Sequence, residues 1–305
     1  MKPGRCVYIT GASGFVGVTL SRFLTDAGWL VRKNPLRLMV QPEKWHTAMT
    51  GAQCVVHLAA RVHRLEVDPK ADAAYQEINV AGSRFVAEQA VLAGVRRFVF
   101  LSSIKVNGEG GELVYQSTDD PDPQDAYGIS KLAAEQTIRE VCELGNVECV
   151  IIRPPLVYGP GVRANFRRLM RLVDLGLPLP LGSIRNQRSL VGVSNLAGFI
   201  ECCMSHPGAG GKTWLIADDE SVSTPELLRR IARQMSRRII LIPVSPKWLR
   251  RIAVPLQLRA EIARLCDSLL VDASPARVEL GWRSTHSLDF ELARTVAAYR
   301  AERIR

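Results

Sequence analysis

Thr10-Gly11-Ala12-Ser13-Gly14-Phe15-Val16-Gly17 is the stretch that decides how this chain is read. It follows Cys6-Val7-Tyr8-Ile9, a strand-like apolar run, and opens a segment from Gly14 to Ala27 with apolar residues at helical spacing. Gly11 permits a tight turn, Gly14 lets a ligand approach the backbone, and Gly17 lets helix and strand pack closely. The helix start, with Ser13, Phe15 and Val16 around it, offers unpaired N–H groups to phosphate. Strand, turn and helix in this order form a cradle for a dinucleotide pyrophosphate.

Working outward, the first half alternates short apolar runs with helical patterns. Cys54 to Leu58, Phe98 to Leu101 and Val147 to Ile152 read as strands; Ala71 to Leu92 and Tyr127 to Leu144 read as helices. Near-continuous apolar strands between helices imply a parallel sheet covered on both faces, the doubly wound Rossmann arrangement of the α/β class. One stretch fits badly. Trp29 to Arg32 and Leu36 to Val40 both resemble strands, yet only Lys33, Asn34 and Pro35 separate them, and a parallel crossover needs ~10–12 residues. The sheet edge is therefore expected to be abbreviated. After Arg153 the pattern becomes helical, over Asn165–Leu175, Ser194–Met204, Thr224–Met235, Leu258–Cys266 and Leu288–Tyr299, with Ser194-Asn195 suited to a helix N-cap. The expected division is a dinucleotide-binding unit over 1–162 and a smaller, mostly helical substrate lobe over 163–305, with room for a strand returning to the main sheet.

Composition narrows the function classes. The chain has 305 residues, 47% hydrophobic and 23% charged, which excludes disorder and a collagen-like repeat. No run approaches the ~18 apolar residues of a membrane span, and the apolar start is too short for a signal-peptide core. Seven cysteines without a C-x-x-C pair fit reduced thiols in the cytoplasm, and five histidines without ligand spacing give no metal site. Charge is uneven: 16 Lys+Arg face 17 Asp+Glu up to Ile152, and 24 face 13 from Arg153 onward. A basic lobe attracts anions or is simply a soluble surface. The basic helices over Pro246–Arg264, with Trp248 and Arg250-Arg251, suit either a solvated face or peripheral contact with acidic membrane. Nucleic-acid binding lacks interleaved aromatics and a binding motif.

Tyr127-Gly128-Ile129-Ser130-Lys131 places a phenol and an ammonium four residues apart at a helix start, hence on one face. A phenol must lose roughly 3 pKa units to act near neutrality, about 4 kcal/mol of differential stabilisation. Lys131 together with an oxidised nicotinamide is the expected source. Ser102-Ser103 ends the preceding strand.

These motifs resemble the short-chain dehydrogenase/reductase superfamily, in its extended branch of nucleotide-sugar epimerases, dehydratases and reductases, over nearly the whole chain. His57-Leu58-Ala59-Ala60 is similar to that branch's H-x-A-A, Asn79 to its N-V-x-G asparagine, and Arg153 to Pro160 to its R-P-x-N-V-Y-G-P loop beside the nicotinamide. The resemblance implies cofactor contacts from Leu58, Ala59, Ala60, Asn79, Pro154, Tyr127 and Lys131. It implies a serine that orients the reacting oxygen, with Ser103 matching by position and Ser102 as rival. It also implies substrate contacts from Asn165 and from Arg188, whose planar fork suits a diphosphate. Departures are Leu156 for the loop's usual Asn and Ile104-Lys105 where dehydratases carry Asp-Glu, which disfavours dehydration. The second-strand region offers Arg32, Lys33 and Arg37 but no acid, which favours NADP(H) with NAD(H) as the alternative. The expected activity is hydride chemistry at C4 of a UDP-activated sugar, foremost reduction of a 4-keto UDP-N-acetylhexosamine for surface polysaccharide. The alternatives are a UDP-sugar 4-epimerase with bound NAD and a non-catalytic dinucleotide sensor. A homodimer through the helices at 71–93 and 127–144 is implied by the same resemblance.

Overall fold

The computed structural model describes residues 5–33, 42–61, 71–255 and 257–304. In chain order its first half runs β1 (Cys6–Thr10), α1 (Phe15–Asp26), β2 (Leu30–Lys33), α2 (Pro42–Met49), β3 (Cys54–His57), α3 (Ala71–Tyr75), a π-helical turn (Gln76–Ala81), α4 (Gly82–Leu92), β4 (Arg97–Leu101), a 3₁₀ turn (Ile104–Val106), β5 (Val114–Tyr115), α5 (Ala126–Leu144) and β6 (Glu148–Arg153). The second half runs β7 (Leu156–Tyr158), α6 (Ala164–Asp174), β8 (Leu190–Gly192), α7 (Val193–Ser205), β9 (Thr213–Leu215), α8 (Thr224–Gln234), α9 (Pro246–Ala253), α10 (Arg259–Cys266), β10 (Leu270–Val271), α11 (Ser274–Leu280) and α12 (Leu288–Ile304).

Six strands form one sheet in the order β2-β1-β3-β4-β6-β9, every pair parallel. Strand alternation explains its two-sided burial. Val7 and Ile9 of β1 enter the core beneath α1 and α7, while Cys6 and Tyr8 pack with Trp45, Val86 and Ile138 on the opposite face. Both sets are buried, so the strands read as unbroken apolar runs. The chain leaves β1 to form β2 on one side, then returns to place β3 on the other. The order therefore reverses at β1, and the crevice outside the carboxyl ends of β1 and β3 is where such sheets bind ligands.

β2 is the edge strand of the described sheet, followed by α2 of eight residues. The first of the two competing runs thus supplies the strand. The second, Leu36 to Val40, lies outside the described residues, as does Arg37. β9 comes from beyond residue 162 and pairs with β6. The lobe has its own core, in which Phe166, Leu190, Leu228 and Leu292 are buried. The π-turn interrupts the continuous helix expected over 71–92. The N-cap expectation for Ser194-Asn195 is corrected: Gly192 precedes α7 without a side-chain cap. Ser194 instead hydrogen-bonds Glu291 and Arg294, and Asn195 joins Asp218 to the backbone at 285–286.

Candidate active site

The glycine turn sits at the end of β1, with Gly11 at φ +69°. A Cβ at Gly11 would stand 2.7 Å from the Ala59 nitrogen, and one at Gly17 would strike the Gly11 carbonyl. Leu58-Ala59 thus closes against Gly11, and the helix closes against the turn. Gly14 caps α1 with extended backbone, with no side-chain cap and no acid in the first turn. Ser13 and Gly14 are exposed, while Phe15 and Val16 are half-buried. A pyrophosphate fits this bare helix start, because the phosphate supplies the capping charge that the sequence withholds.

His57 braces the turn from below. Its Nδ1 lies 2.5 Å from Thr10 Oγ1 and its Nε2 2.9 Å from Ser83 Oγ. Burial, then the nearby Lys131 charge, lowers its pKa to about 3, so the ring is neutral.

Tyr127 and Lys131 occupy the first two turns of α5, which Asp125 caps by accepting from the Gly128 N–H at 2.7 Å. The Lys131 ammonium is buried, donates to the Leu101 carbonyl at 2.7 Å and lies 4.1 Å from the Phe100 ring centroid. Desolvation lowers its pKa to about 7, with Glu135 opposing. The Tyr127 ring meets Tyr75 edge-on at 6.2 Å. Its phenol is pushed well above its ordinary pKa by burial first, then by Asp125 and Tyr75. The expectation that Lys131 and an oxidised nicotinamide together draw Tyr127 toward phenolate concerns the cofactor-bound site; in the chain alone, burial favours the protonated phenol.

The two serines separate cleanly. Ser102 is buried and donates to Glu135, which also holds Arg153 through two bonds of 2.9 and 2.6 Å. Ser103 is half-buried, and among the described residues its hydroxyl accepts one long bond, 3.3 Å, from the Lys105 N–H. The Pro154 carbonyl accepts from the Ile104 N–H at 2.9 Å, fixing the 153–160 loop to the serine strand end. Lys105 pairs with Glu109 and Asp125, fastening the turn after Ser103 to the start of the Tyr127 helix.

Other expected residues take bracing roles. The buried Asn79 accepts from the Arg61 N–H at 2.8 Å and donates to the Arg61 carbonyl and Ser130 Oγ. Ser130 in turn donates to the Tyr127 carbonyl at 2.8 Å. Asn79 therefore joins the segment after β3 to α5 through Ser130. Arg32 donates to the Thr50 carbonyl at 2.7 Å, so that part of its fork holds the end of α2. Arg188 donates to the Asp267 carbonyl at 2.9 Å, and burial lowers its pKa while the carboxylates of Asp267 and Glu109 oppose that shift. Asn165 stands half-buried on the first turn of α6, after Ala164 at φ +50°. No hydrogen bond among the described residues ties it to the serine–tyrosine cluster.

Sequence reading missed Glu135, Lys105 and Asp125. Glu135 had a signal, since 127, 131 and 135 recur every fourth residue on one helical face. Lys105 and Asp125 had none, because only folding brings them together.

An uncapped helix start at the reversal of a parallel sheet, in a chain that carries Ser103 at a strand end and Tyr127 with buried Lys131 on the first turns of one helix, defines a nicotinamide-dependent oxidoreductase of the short-chain type. The chain belongs to the NAD dependent epimerase/dehydratase family, whose model matches residues 7–217. It is 38% identical to the UDP-glucose 4-epimerase of Vibrio cholerae over 98% of this chain and 96% of that one. It is 28% identical to the N-acetyl-alpha-D-glucosaminyl-diphospho-ditrans,octacis-undecaprenol 4-epimerase of Escherichia coli O157:H7, over 76% of this chain and 73% of that protein. Among solved structures, MoeE5 in complex with UDP-glucose and NAD superposes with a TM-score of 0.75 at 25% identity, over 97% of this chain and 99% of that one.

Proposed function

We propose that this chain inverts C4 of a UDP-activated hexose, a 4-epimerase that keeps NAD(H) bound. The observation that carries this reading is the site's composition: a phenol and a buried ammonium on the first turns of α5, the ammonium bonded to the Leu101 carbonyl two residues before the Ser103 hydroxyl, without an acid–base pair for elimination. Lys105, at the position where dehydratases carry an acid, is neutralised by Glu109 and Asp125. When bound, the nicotinamide supplies a hydride acceptor whose positive charge favours loss of the phenol proton. Tyr127 then takes the proton of the C4 hydroxyl and returns it after the ring has presented its other face. Ser103 donates to the same oxygen and keeps it aligned. Lys131, with its pKa lowered to about 7, holds the nicotinamide ribose and biases the phenol. Arg188 takes the diphosphate. Full-length identity to an epimerase supports the choice of reaction, and the attachment of Arg32 to Thr50 supports NAD over NADP.

A second reading, reduction of a 4-keto UDP-sugar, would use Tyr127 as the proton donor to the C4 oxygen, and burial of the phenol favours its protonated form. Incubation with UDP-glucose, UDP-N-acetylglucosamine and a 4-keto UDP-sugar, with NAD⁺, NADH or NADPH, separates the two. Sugar interconversion without net cofactor oxidation is expected. Stoichiometric NADPH oxidation on the keto sugar alone establishes the reductase. A homodimer through α4 and α5 belongs to the same proposal and is read by sedimentation.

A further inference from the structure

The region after α8 carries a surface that the sugar chemistry does not use. Residues 235–260 contain six Lys and Arg and no Asp or Glu. In α9, Leu249 and Ala253 face the lobe core and are buried. The next stripe, Trp248 and Ile252, points outward, and beside it Lys247 and Arg251 form a cationic stripe. The Arg251 guanidinium lies 5.4 Å from the Trp248 ring centroid. The strand-like segment before α9 continues this face. It bonds to the chain at 179–182 through Leu179 and Ile242, with Leu179 directed inward. Ile240, Ile242, Trp248, Ile252 and Val254 are each between 44% and 59% exposed.

Three occupants fit a basic apolar face in principle. A second copy of the chain meets it badly, because a two-fold contact sets Lys247 and Arg251 against the same cations. Nucleic acid satisfies the charge and leaves the isoleucines in water. An anionic bilayer satisfies both: headgroup phosphates meet the cations, and Trp248 with its aliphatic neighbours enters the boundary between headgroups and acyl chains. An ordinary solvated face mixes charges of both signs and keeps large apolar side chains apart; residues 239–254 carry no acid of their own and hold five large apolar side chains that are each at least 44% exposed. Arg250 and Arg237 are engaged with Asp267 and Asp174, so Lys247, Arg251, Arg238 and Arg259 provide the available charge. Among the described residues no helix is long and apolar enough to cross a membrane, so the contact is peripheral.

We infer that α9 and the segment before it, 239–254, form a docking face for anionic membrane, with Trp248 and Ile252 inserted and Lys247 and Arg251 on the headgroups. The full chain is sedimented with vesicles of phosphatidylcholine alone or with about 30% phosphatidylglycerol, at low and high salt. Expected is binding to the anionic vesicles only, weakened by salt. Trp248→Ala with Ile252→Ala, and separately Lys247→Glu with Arg251→Glu, are each expected to reduce partitioning roughly tenfold. Their urea midpoints are expected to match the parent, because all four side chains are exposed. Absent or composition-independent binding overturns the inference, as does unchanged binding of both variants. A concentration-dependent dimer abolished by the Trp248/Ile252 variant overturns it in favour of a second copy. Duplex DNA retained more tightly than the vesicles overturns it in favour of nucleic acid. None of these outcomes depends on which sugar reaction the chain performs.

Discussion

At residue scale, the adjacent serines carry a sharp test. Ser102 is committed to Glu135, and among the described residues Ser103 keeps a hydroxyl bound by one long contact from Lys105. Ser103→Ala is expected to lower kcat about 10²-fold with the urea midpoint unchanged. Ser102→Ala is expected to do the reverse, costing about 1–3 kcal/mol by leaving a buried carboxylate with one partner fewer. Equal losses of kcat in the two variants would remove the assignment. Tyr127→Phe is expected to lower turnover by about 10²–10⁴-fold, read in the same sugar assay. The tyrosine and lysine were legible because their relation is a helical spacing written in the chain. The choice of Ser103 over Ser102 rested on resemblance alone, because its physical ground, the bond from Ser102 to Glu135, spans 33 positions of the chain.

At the scale of elements, the glycine turn and the helix it opens were legible because close packing and uncapped N–H groups leave a residue pattern. The π-turn was not. Its extra residue per turn leaves the apolar spacing of 71–92 nearly intact, yet it is what swings Asn79 between Arg61 and Ser130. π-turns of this kind gather at functional sites. Asn79→Leu is expected to strand the Arg61 backbone groups and to cost about 1–3 kcal/mol by urea titration. Because Ser130, which donates to the Tyr127 carbonyl, then loses the Asn79 donor, NAD⁺ affinity is expected to fall as well, measured by quenching of protein fluorescence. Gly17→Ala tests the other wall of the cradle. Its methyl group meets the Gly11 carbonyl, and a forced backbone shift costs typically 1–3 kcal/mol, so cofactor affinity is expected to drop more than the fold does. Unchanged NAD⁺ affinity in both variants would detach these elements from the cofactor.

At the scale of the whole molecule, alternating strands and helices gave the doubly wound sheet, while the returning strand β9 left almost no trace, being three residues of an otherwise helical lobe. Long-range electrostatics were equally hidden, since burial decides them. His57 titrates near 3 in the fold against an ordinary 6.5. Between those values the unfolded chain holds a proton that the folded chain lacks, so stability rises with pH by up to about 1.4 kcal/mol per unit. Asp218 acts oppositely. Burial raises its pKa from 3.8 to about 6, so between those values the folded carboxyl holds the extra proton and stability falls as pH rises. From pH 4 to 6 the two slopes oppose each other, and the parent protein is expected to show a shallow profile there. His57→Gln removes one slope only. Relative to the parent, this variant is expected to lose stability progressively from pH 4 to 6, by up to about 1.4 kcal/mol per unit. Urea unfolding at several pH values reads that difference directly. A parent-minus-variant gap that stays constant across the window would show that the ring beneath the glycine turn is not held neutral by the fold.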